Sequence, residues 1–335
     1  MKLLKLKTKT KILLRLVYEV SQTLNGKAFE YACLKSFHNL LVRTQPVNIE
    51  ASPALITARD AFDDAEINLQ NKLRQAADAA TRVLVRLEPQ LSTPLTNVPL
   101  YLSIQSDAAG RRGDVRDVLA IRRQNDWEIG FSVKHNHNAV KHSRLSQSID
   151  FGSEWLGIPA STEYFDEIRP FFNELVELRR ARALWSEIDD KAQRFYIPIL
   201  SAFINELQRL NAANPGIVPS RLMSYLLGRN DFYKIIADSS NNMTIVQGFS
   251  ILGTLNRAAG TTVPMMRMPR LRLPNDIYRI YFKPESDNTI IIACDEGWEV
   301  SARIHNASSK VEPSLKFDIR LRGNPPSIFT HHEAW

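Results

Sequence analysis

Residues 113–137 read GDVRDVLAIRRQNDWEIGFSVKHNH, a pattern typical of two consecutive β-strands. Runs rich in β-branched and aromatic residues, 117–123 and 127–135, flank a polar turn at 124–126. Alternate side chains along a strand share one face. One face of the second strand is therefore expected to carry Glu128, Gly130, Ser132 and Lys134. The hairpin thus offers acids and a lysine on neighbouring strands.

These side chains indicate a metal site that receives a phosphodiester. Asp117 opens the first strand, and Asp114 lies in the turn before it. Mg²⁺ prefers hard oxygen ligands, and it activates bound water and neutralises charge in phosphoryl chemistry. Lys134 is suited to orient that water or to stabilise the developing charge. We predict Asp117, Lys134 and Glu128 as catalytic groups, and Asp117, Asp114 and Glu128 as metal ligands.

A purely structural alternative remains open for the same residues. Asp114 could cap a turn, Asp117 could pair with Arg116 or Arg122, and Lys134 could be an ordinary strand charge. The surrounding charge favours the metal site, because residues 108–146 hold eight Lys or Arg and four Asp or Glu. Acids held among cations suit a site that must accept phosphate.

The composition limits the classes of protein. The chain has 335 residues, enough for about two domains, with 44% hydrophobic and 24% charged residues. Neither wholesale disorder nor a membrane protein is expected from these fractions. Lys and Arg exceed Asp and Glu by 43 to 36, a charge of +7 that favours polyanionic partners. Cys33 and Cys294 lie far apart, which argues against a disulfide framework and fits a reducing compartment.

Three histidines, His135, His137 and His142, lie within eight residues of one another. This spacing allows a zinc site, so a zinc-dependent hydrolase is an alternative function. The same segment also contains Lys141 and Arg144, which equally favour a polar loop that binds phosphate.

Longer strings throughout the chain resemble the HaeIII-type group of Type II restriction endonucleases. The similarity extends over roughly residues 25–322. The strings are NGKAFEY (25–31), GDVRDVL (113–119), WEIGFSVKHNH (127–137), AVKHSRLS (139–146), IDFG (149–152), YLLG (225–228) and RIHNASSKVEPSLKFD (303–318).

The resemblance implies cleavage of double-stranded DNA at GGCC with Mg²⁺, by a nuclease of the PD-(D/E)xK class. By the same resemblance, Asp117 would be the metal aspartate, Lys134 the lysine of the motif, and Glu30 an acid on the first helix. Ser132 stands where that motif has an acid two residues before its lysine. Glu128 or Asp114 would then supply a displaced carboxylate.

The expected fold is α/β (α+β), a restriction-endonuclease-like mixed sheet flanked by helices, with a C-terminal β-rich part. We expect a basic extension (1–24), a helical region (25–99), a catalytic core (100–215) and a β-rich DNA-recognition region (216–335). Candidate DNA contacts are Arg111, Arg112, His135, His137, Lys141, Arg144, Arg267, Arg270, Arg272, Asn306 and Lys310.

Several expectations about partners follow from this interpretation. The substrate is double-stranded DNA, and a palindromic target suits a homodimer. The resemblance also implies a cognate DNA methyltransferase and a location in the bacterial cytoplasm, without membrane association. A DNA-binding protein without catalytic activity remains an alternative.

Overall fold

The chain alternates helices and strands in a mixed order. The computed structural model describes residues 2–93, 98–106, 114–135, 139–323 and 325–335, with side chains outside 2–21 and 139–142. Its helices are α1 (Lys2–Leu41), α2 (Pro53–Asp63), α3 (Ile67–Leu87), α4 (Pro89–Ser92), α5 (Thr162–Arg180), α6 (Ile197–Ala213) and α7 (Val218–Leu227). Its strands are β1 (Val47–Ile49), β2 (Leu100–Ile104), β3 (Val118–Arg122), β4 (Trp127–His135), β5 (Ala139–Leu145), β6 (Phe232–Asp238), β7 (Met243–Phe249), β8 (Ile277–Phe282), β9 (Thr289–Cys294), β10 (Glu299–His305), β11 (Leu315–Leu321) and β12 (Phe329–Ala334).

The chain divides into two units, and each is assembled from separate segments. The first unit comprises Met1–His137, Asn230–Leu271 and Ile328–Trp335. The second comprises Asn138–Arg229 and Arg272–Ser327. The four consecutive regions expected from the sequence remain a prediction about roles.

The first unit is built on a mixed sheet of seven strands. Their order is β1-β2-β3-β4-β6-β7-β12, in which β1 pairs with β2 and β4 with β6 in parallel and the other neighbours are antiparallel. Helices α1 and α3 pack against the sheet. Phe37 of α1 stacks on Phe131 of β4 with ring centroids 4.6 Å apart. Helix α1 begins at Lys2, so the expected basic extension continues into the helix predicted from residue 25.

The second unit combines helices with an antiparallel sheet of five strands, ordered β5-β11-β10-β9-β8. Ser161 is the N-cap of α5, and its hydroxyl accepts a hydrogen bond from the Tyr164 amide at 3.2 Å. Trp155 stacks on Phe317 of β11 at 5.9 Å between ring centroids. Residues 139–145, where a polar loop was one interpretation, form strand β5 and pair with β11.

The fold class predicted from the sequence is confirmed. Helices pack on a mixed sheet, and four of the five strands of the second sheet come from residues 277–321. Among the described residues, no helix combines the length and the apolar character needed to cross a lipid bilayer.

A buried carboxyl joins α3, the central sheet and the segment after β7 in the first unit. Glu88 is 1% exposed, and its Oε1 accepts a hydrogen bond from Tyr233 Oη at 2.7 Å and another from the Asn256 amide. Burial raises the pKa of Glu88 to about 7; the bonds from Tyr233 and Asn256 oppose that shift, and Asp231 adds to it. Glu88 is therefore largely protonated in weakly acidic solution.

This pKa predicts a specific pH dependence of stability. Between about pH 4.5 and pH 7 the folded state binds more protons at Glu88 than the unfolded chain does, so this group's contribution to stability falls as pH rises. The Glu88→Gln variant keeps an acceptor oxygen without titrating. Its free energy of unfolding should rise relative to wild type by up to about 3 kcal/mol from about pH 5 to about pH 8. Urea unfolding at both pH values measures the difference.

The exposed Glu66, at the start of α3, supplies the control. Glu66→Gln should leave the difference from wild type the same at both pH values. A Glu88→Gln difference that is equally independent of pH would contradict the assignment.

Candidate active site

Asp117 lies immediately before β3, where the neighbouring strand β4 continues beyond it. The Asp117 amide donates to the carbonyl of Phe131 at 2.8 Å. Its Oδ2 accepts from the Val133 amide at 2.7 Å. The Asp117 carboxylate thus accepts the hydrogen bond that a backbone carbonyl would accept if the pairing of β3 with β4 continued. Strand β4 therefore fixes the position of the carboxylate.

Lys134 meets the same carboxylate oxygen. Its Nζ lies 2.8 Å from Asp117 Oδ2, and the two side chains are 25% and 21% exposed. Ser132 Oγ is 3.5 Å from that oxygen. Ile129, Phe131 and Val133 belong to the hydrophobic core, and Gly130 and Ser132 on the other face are buried as well, so burial along β4 does not alternate. The structure therefore brings Asp117 and Lys134 together at the partly exposed end of β4.

Glu30 adds a second carboxyl from helix α1. Lys27, Glu30 and Cys33 follow a three-residue spacing and share a side of the helix. Glu30 is 6% exposed and pairs with Lys27 Nζ at 3.1 Å. Burial, and next the charge of Asp117, raise the pKa of Glu30 to about 8, while Lys27 and Lys134 lower it. Glu30 is thus within the electrostatic reach of both Asp117 and Lys134.

A further lysine, Lys234 on β6, was not predicted from the sequence. It pairs in parallel register with Ser132 of β4 and is 4% exposed. Burial lowers the pKa of Lys234 to about 8; Lys134 lowers it further, and Asp117 raises it. The available signal was a lysine inside the buried run FYKIIA at 232–237, since lysine is seldom fully buried without a partner. The pairing of β4 with β6, two strands that are far apart in the sequence, brings Lys234 to the site.

Asp114 and Glu128 do not join this group, contrary to the expectation for the metal ligands. Arg116 donates to Asp114 Oδ1 from Nε at 2.8 Å and to Oδ2 from Nη2 at 2.6 Å. Its Nη1 donates to Glu128 Oε1 at 2.5 Å. Burial by itself would raise the pKa of Asp114, but the bonds from Arg116 and Gln105 hold it below its ordinary value.

The strand register explains the separation of Glu128. Glu128 is paired with Ile121, at the turn end of the hairpin, whereas Val118 is paired with Phe131. Four residues along β4 separate Glu128 from Ser132, which corresponds to about 13 Å. A shared strand face therefore does not make Glu128 a neighbour of Asp117.

The predicted DNA contacts have varied surroundings. Arg144 donates to Ser314 and pairs with Glu312. The Asn306 amide donates to the carbonyls of Ser308 and Lys310, so it organises its own turn. The exposed members are Arg267, Arg270, Arg272 and Lys310. Arg111, Arg112 and His137 lie outside the described residues, as does the side chain of Lys141.

The zinc alternative rests on residues that are only partly described. His135 Nε2 lies 3.1 Å from Ser239 Oγ, and burial lowers the pKa of His135. His137 and the side chain of His142 lie outside the described part. Within that part, no group of three or more His, Cys, Asp or Glu is placed to hold a metal ion.

The chemistry of the donors fits one hard cation better than a soft one. Asp117 offers a carboxylate that the Val133 amide anchors. Glu30 is buried, and the lysines near it do not offset the cost of ionising it, so its pKa is raised. Mg²⁺ often takes one or two protein carboxylates and completes its shell with waters and substrate phosphate. Lys134 and Lys234 provide positive charge beside that position. The arrangement is suited to hydrolysis of a phosphodiester.

Comparison with known proteins gives an independent indication of function. The protein-family model for the HaeIII restriction endonuclease matches residues 26–325. The chain is 39% identical over 311 residues to the Type II restriction enzyme HaeIII of Haemophilus aegyptius, covering 93% of this chain and 97% of that protein. No solved structure matches the chain.

Gly130 is predicted to be essential for the Arg116 bridge. A Cβ at position 130 would lie 2.0 Å from Arg116 Cδ and 2.8 Å from its Cβ, so the arginine would have to move away from Asp114 and Glu128. We expect Gly130→Ala to lower the free energy of unfolding by about 1–3 kcal/mol, as overpacking does in well-packed sites. Urea unfolding measures this change.

Gly26 of α1 provides a matched control, because nothing lies within 4 Å of a Cβ added there. Gly26→Ala should leave stability unchanged or raise it, since alanine favours a helix. Equal stability of Gly130→Ala and wild type would rule out the tight packing over Gly130.

Proposed function

Because the chain belongs to the HaeIII restriction endonuclease family, we propose that it cleaves double-stranded DNA at the palindrome GGCC with Mg²⁺ as its metal. One observation supports this function most directly. Lys134 Nζ lies 2.8 Å from a carboxylate oxygen of Asp117 that the Val133 amide also holds. A carboxylate and an ammonium held side by side suit metal-assisted hydrolysis of a phosphodiester, in which a metal activates water and charge on the phosphate is neutralised.

Asp117 and Glu30 are the proposed holders of the metal. Bound Mg²⁺ lowers the pKa of a water molecule and neutralises charge on the phosphate. Asp117 keeps its position because the Val133 amide fixes it at 2.7 Å. Glu30 loses its proton more readily once positive charge is added beside it, because burial and Asp117 oppose its ionisation.

Lys134 is proposed to act at the reacting phosphate. Its ammonium, 25% exposed, is able to exchange part of its contact with Asp117 for a phosphate oxygen or for the attacking water. Lys234 is more deeply buried and sits beside Ser132 in the register. Its charge supports Asp117 from the neighbouring strand. No covalent intermediate with the protein is required.

Recognition of GGCC is proposed to rest on arginines. Arginine can donate two hydrogen bonds to one guanine in the major groove, and a GGCC duplex presents four guanines. Arg272, which is exposed, is a candidate for this base contact, and Arg111, Arg112, His137 and Lys141 remain candidates for DNA contact from the sequence. A homodimer would match a palindromic site. A cognate methyltransferase would protect host DNA.

The Asp117–Lys134 pair can be tested by DNA cleavage. With Mg²⁺ and a sequenced plasmid, Asp117→Asn and Lys134→Met should each slow cleavage at GGCC by at least about 100-fold, the size of effect seen when a preorganised electrostatic group is lost. The initial rate of supercoiled plasmid loss measures it.

The Lys316–Asp318 ion pair of β11 gives a matched control. Lys316 is 29% exposed and lies 3.5 Å from Asp318. Lys316→Met should cleave like wild type. Full activity in both site variants would overturn the assignment, and tight binding without cleavage by wild type in Mg²⁺ would select a DNA-binding protein without catalytic activity.

The two candidates for the second metal carboxylate can be compared directly. Glu30→Gln should slow cleavage and raise the Mg²⁺ concentration needed for half-maximal rate by about 10-fold, the lower end of the effect of losing a supporting metal contact. Glu128→Gln should not shift that concentration, because Glu128 is engaged by Arg116. Mg²⁺ titrations of the initial rate decide between them. A shift with Glu128→Gln alone would restore Glu128 as the ligand.

A further inference from the structure

A long irregular segment follows strand β7 in the first unit. Residues 251–271, here named the 251–271 loop, form neither helix nor extended strand apart from one bridge between Ala259 and Thr262. The sequence contains no acidic residue between Asp238 and Asp276, although it contains four arginines there. Such a stretch is unusual in a chain with 36 acidic residues.

Buried polar groups hold the loop in a defined conformation. Asp231 Oδ1 accepts from the Leu252 amide at 2.6 Å, and Asp231 Oδ2 accepts from the amide and hydroxyl of Thr254 at 2.6 and 2.7 Å. Asn256 accepts from the Met268 amide at 3.0 Å and donates to the carbonyl of Leu87. These bonds hold the first part of the loop against Asp231 and Leu87 and tie Met268 to Asn256.

Apolar side chains of the loop fall into a buried set and an exposed set. Leu255, Met268 and Leu271 are buried, between 6% and 8% exposed. Val263, Met265 and Met266 are 72%, 82% and 49% exposed. A loop with its own apolar anchors has no folding reason to expose two consecutive methionines. Large exposed apolar side chains grouped together mark an interaction surface.

The charge around these side chains indicates the partner. Arg257, Arg267 and Arg270 are exposed, and Arg257 and Arg270 also donate to main-chain carbonyls of the loop. Arginines on both sides of these exposed apolar side chains, in a segment without acidic residues, suit a polyanion that also presents apolar groups. Duplex DNA has both, with phosphates outside and base edges and sugars in its grooves. Three side chains offer far less apolar area than the roughly 800 Å² per partner of a stable protein interface.

We propose that the 251–271 loop inserts Met265 and Met266 as an apolar wedge into a groove of the substrate DNA. Arg257, Arg267 and Arg270 contact the phosphates on either side. Methionine is among the apolar side chains that proteins use as wedges in DNA, and its flexible thioether adapts to different base steps. The inference rests on the proposed function and adds a specific contact surface to it.

The wedge can be separated experimentally from the arginine contacts. The probe is a duplex oligonucleotide containing GGCC, bound without Mg²⁺ in EDTA and followed by fluorescence anisotropy at several salt concentrations. Met265→Ala/Met266→Ala should weaken binding at least about 10-fold, with the salt dependence unchanged. Arg267→Gln should instead reduce the slope of log affinity against log salt by about 1.

Two further variants control for folding and exposure. Met265→Leu/Met266→Leu keeps the apolar surface and should bind more tightly than the double alanine variant, because exchanging Met for Leu costs less than truncating it to Ala. Ile67→Ala removes another exposed apolar side chain, 68% exposed at the start of α3, and should not change binding. Thermal unfolding verifies that each variant is folded.

The outcomes distinguish this inference from the proposed function. Wild-type affinity in the double alanine variant overturns the wedge, whether or not the protein cleaves GGCC. If wild type neither binds nor cleaves DNA, both proposals fail. If wild type is a dimer without DNA and the double alanine variant is a monomer, the exposed methionines belong to an interface between two copies and the wedge is rejected.

Discussion

The hydrogen bond from the Val133 amide to the Asp117 carboxylate, 2.7 Å long, joins β3 and β4 where the backbone ladder between them ends. The same oxygen accepts a hydrogen bond from the ammonium of Lys134 at 2.8 Å, so one side chain bonds to the β4 backbone and also holds Lys134. Placing the carboxylate in the ladder removes most of its rotational freedom. A group that is fixed in this way needs little reorganisation when a cation or phosphate arrives, which is the basis of electrostatic preorganisation.

The charge states of Glu30 and Lys234 depend on burial and on the charges of Asp117 and Lys134. Burial favours the neutral forms of both Glu30 and Lys234, and it brings the pKa of each to about 8. The charges of Asp117 and Lys134 act on both groups. A divalent cation would favour the ionised form of Glu30 and disfavour the charged form of Lys234. Metal binding and proton release are therefore expected to be linked at this site.

The sequence was informative where a pattern is local. The strand pattern of 127–135 predicted β4 and the position of Lys134 on it. It was not informative where partners are distant in the chain. Lys234 reaches the site because β6 pairs in parallel with β4 after about 100 intervening residues, and no periodicity encodes such a crossover. The role of Glu30 was suggested by resemblance rather than by pattern.

Asp114 and Glu128 share one partner, Arg116. Arg116 is 8% exposed, and burying a charged guanidinium is costly unless carboxylates pair with it. Asp114 and Glu128 supply those carboxylates, although both lie near Lys134 in the sequence. Gly130 leaves the space across β4 through which Arg116 reaches Glu128. Counting acids near a lysine therefore overestimates the number available to a metal. When a buried arginine is also close, it pairs with acids that the sequence alone would assign to the lysine. Here Arg116 pairs with Asp114 and Glu128, and Lys134 pairs with Asp117.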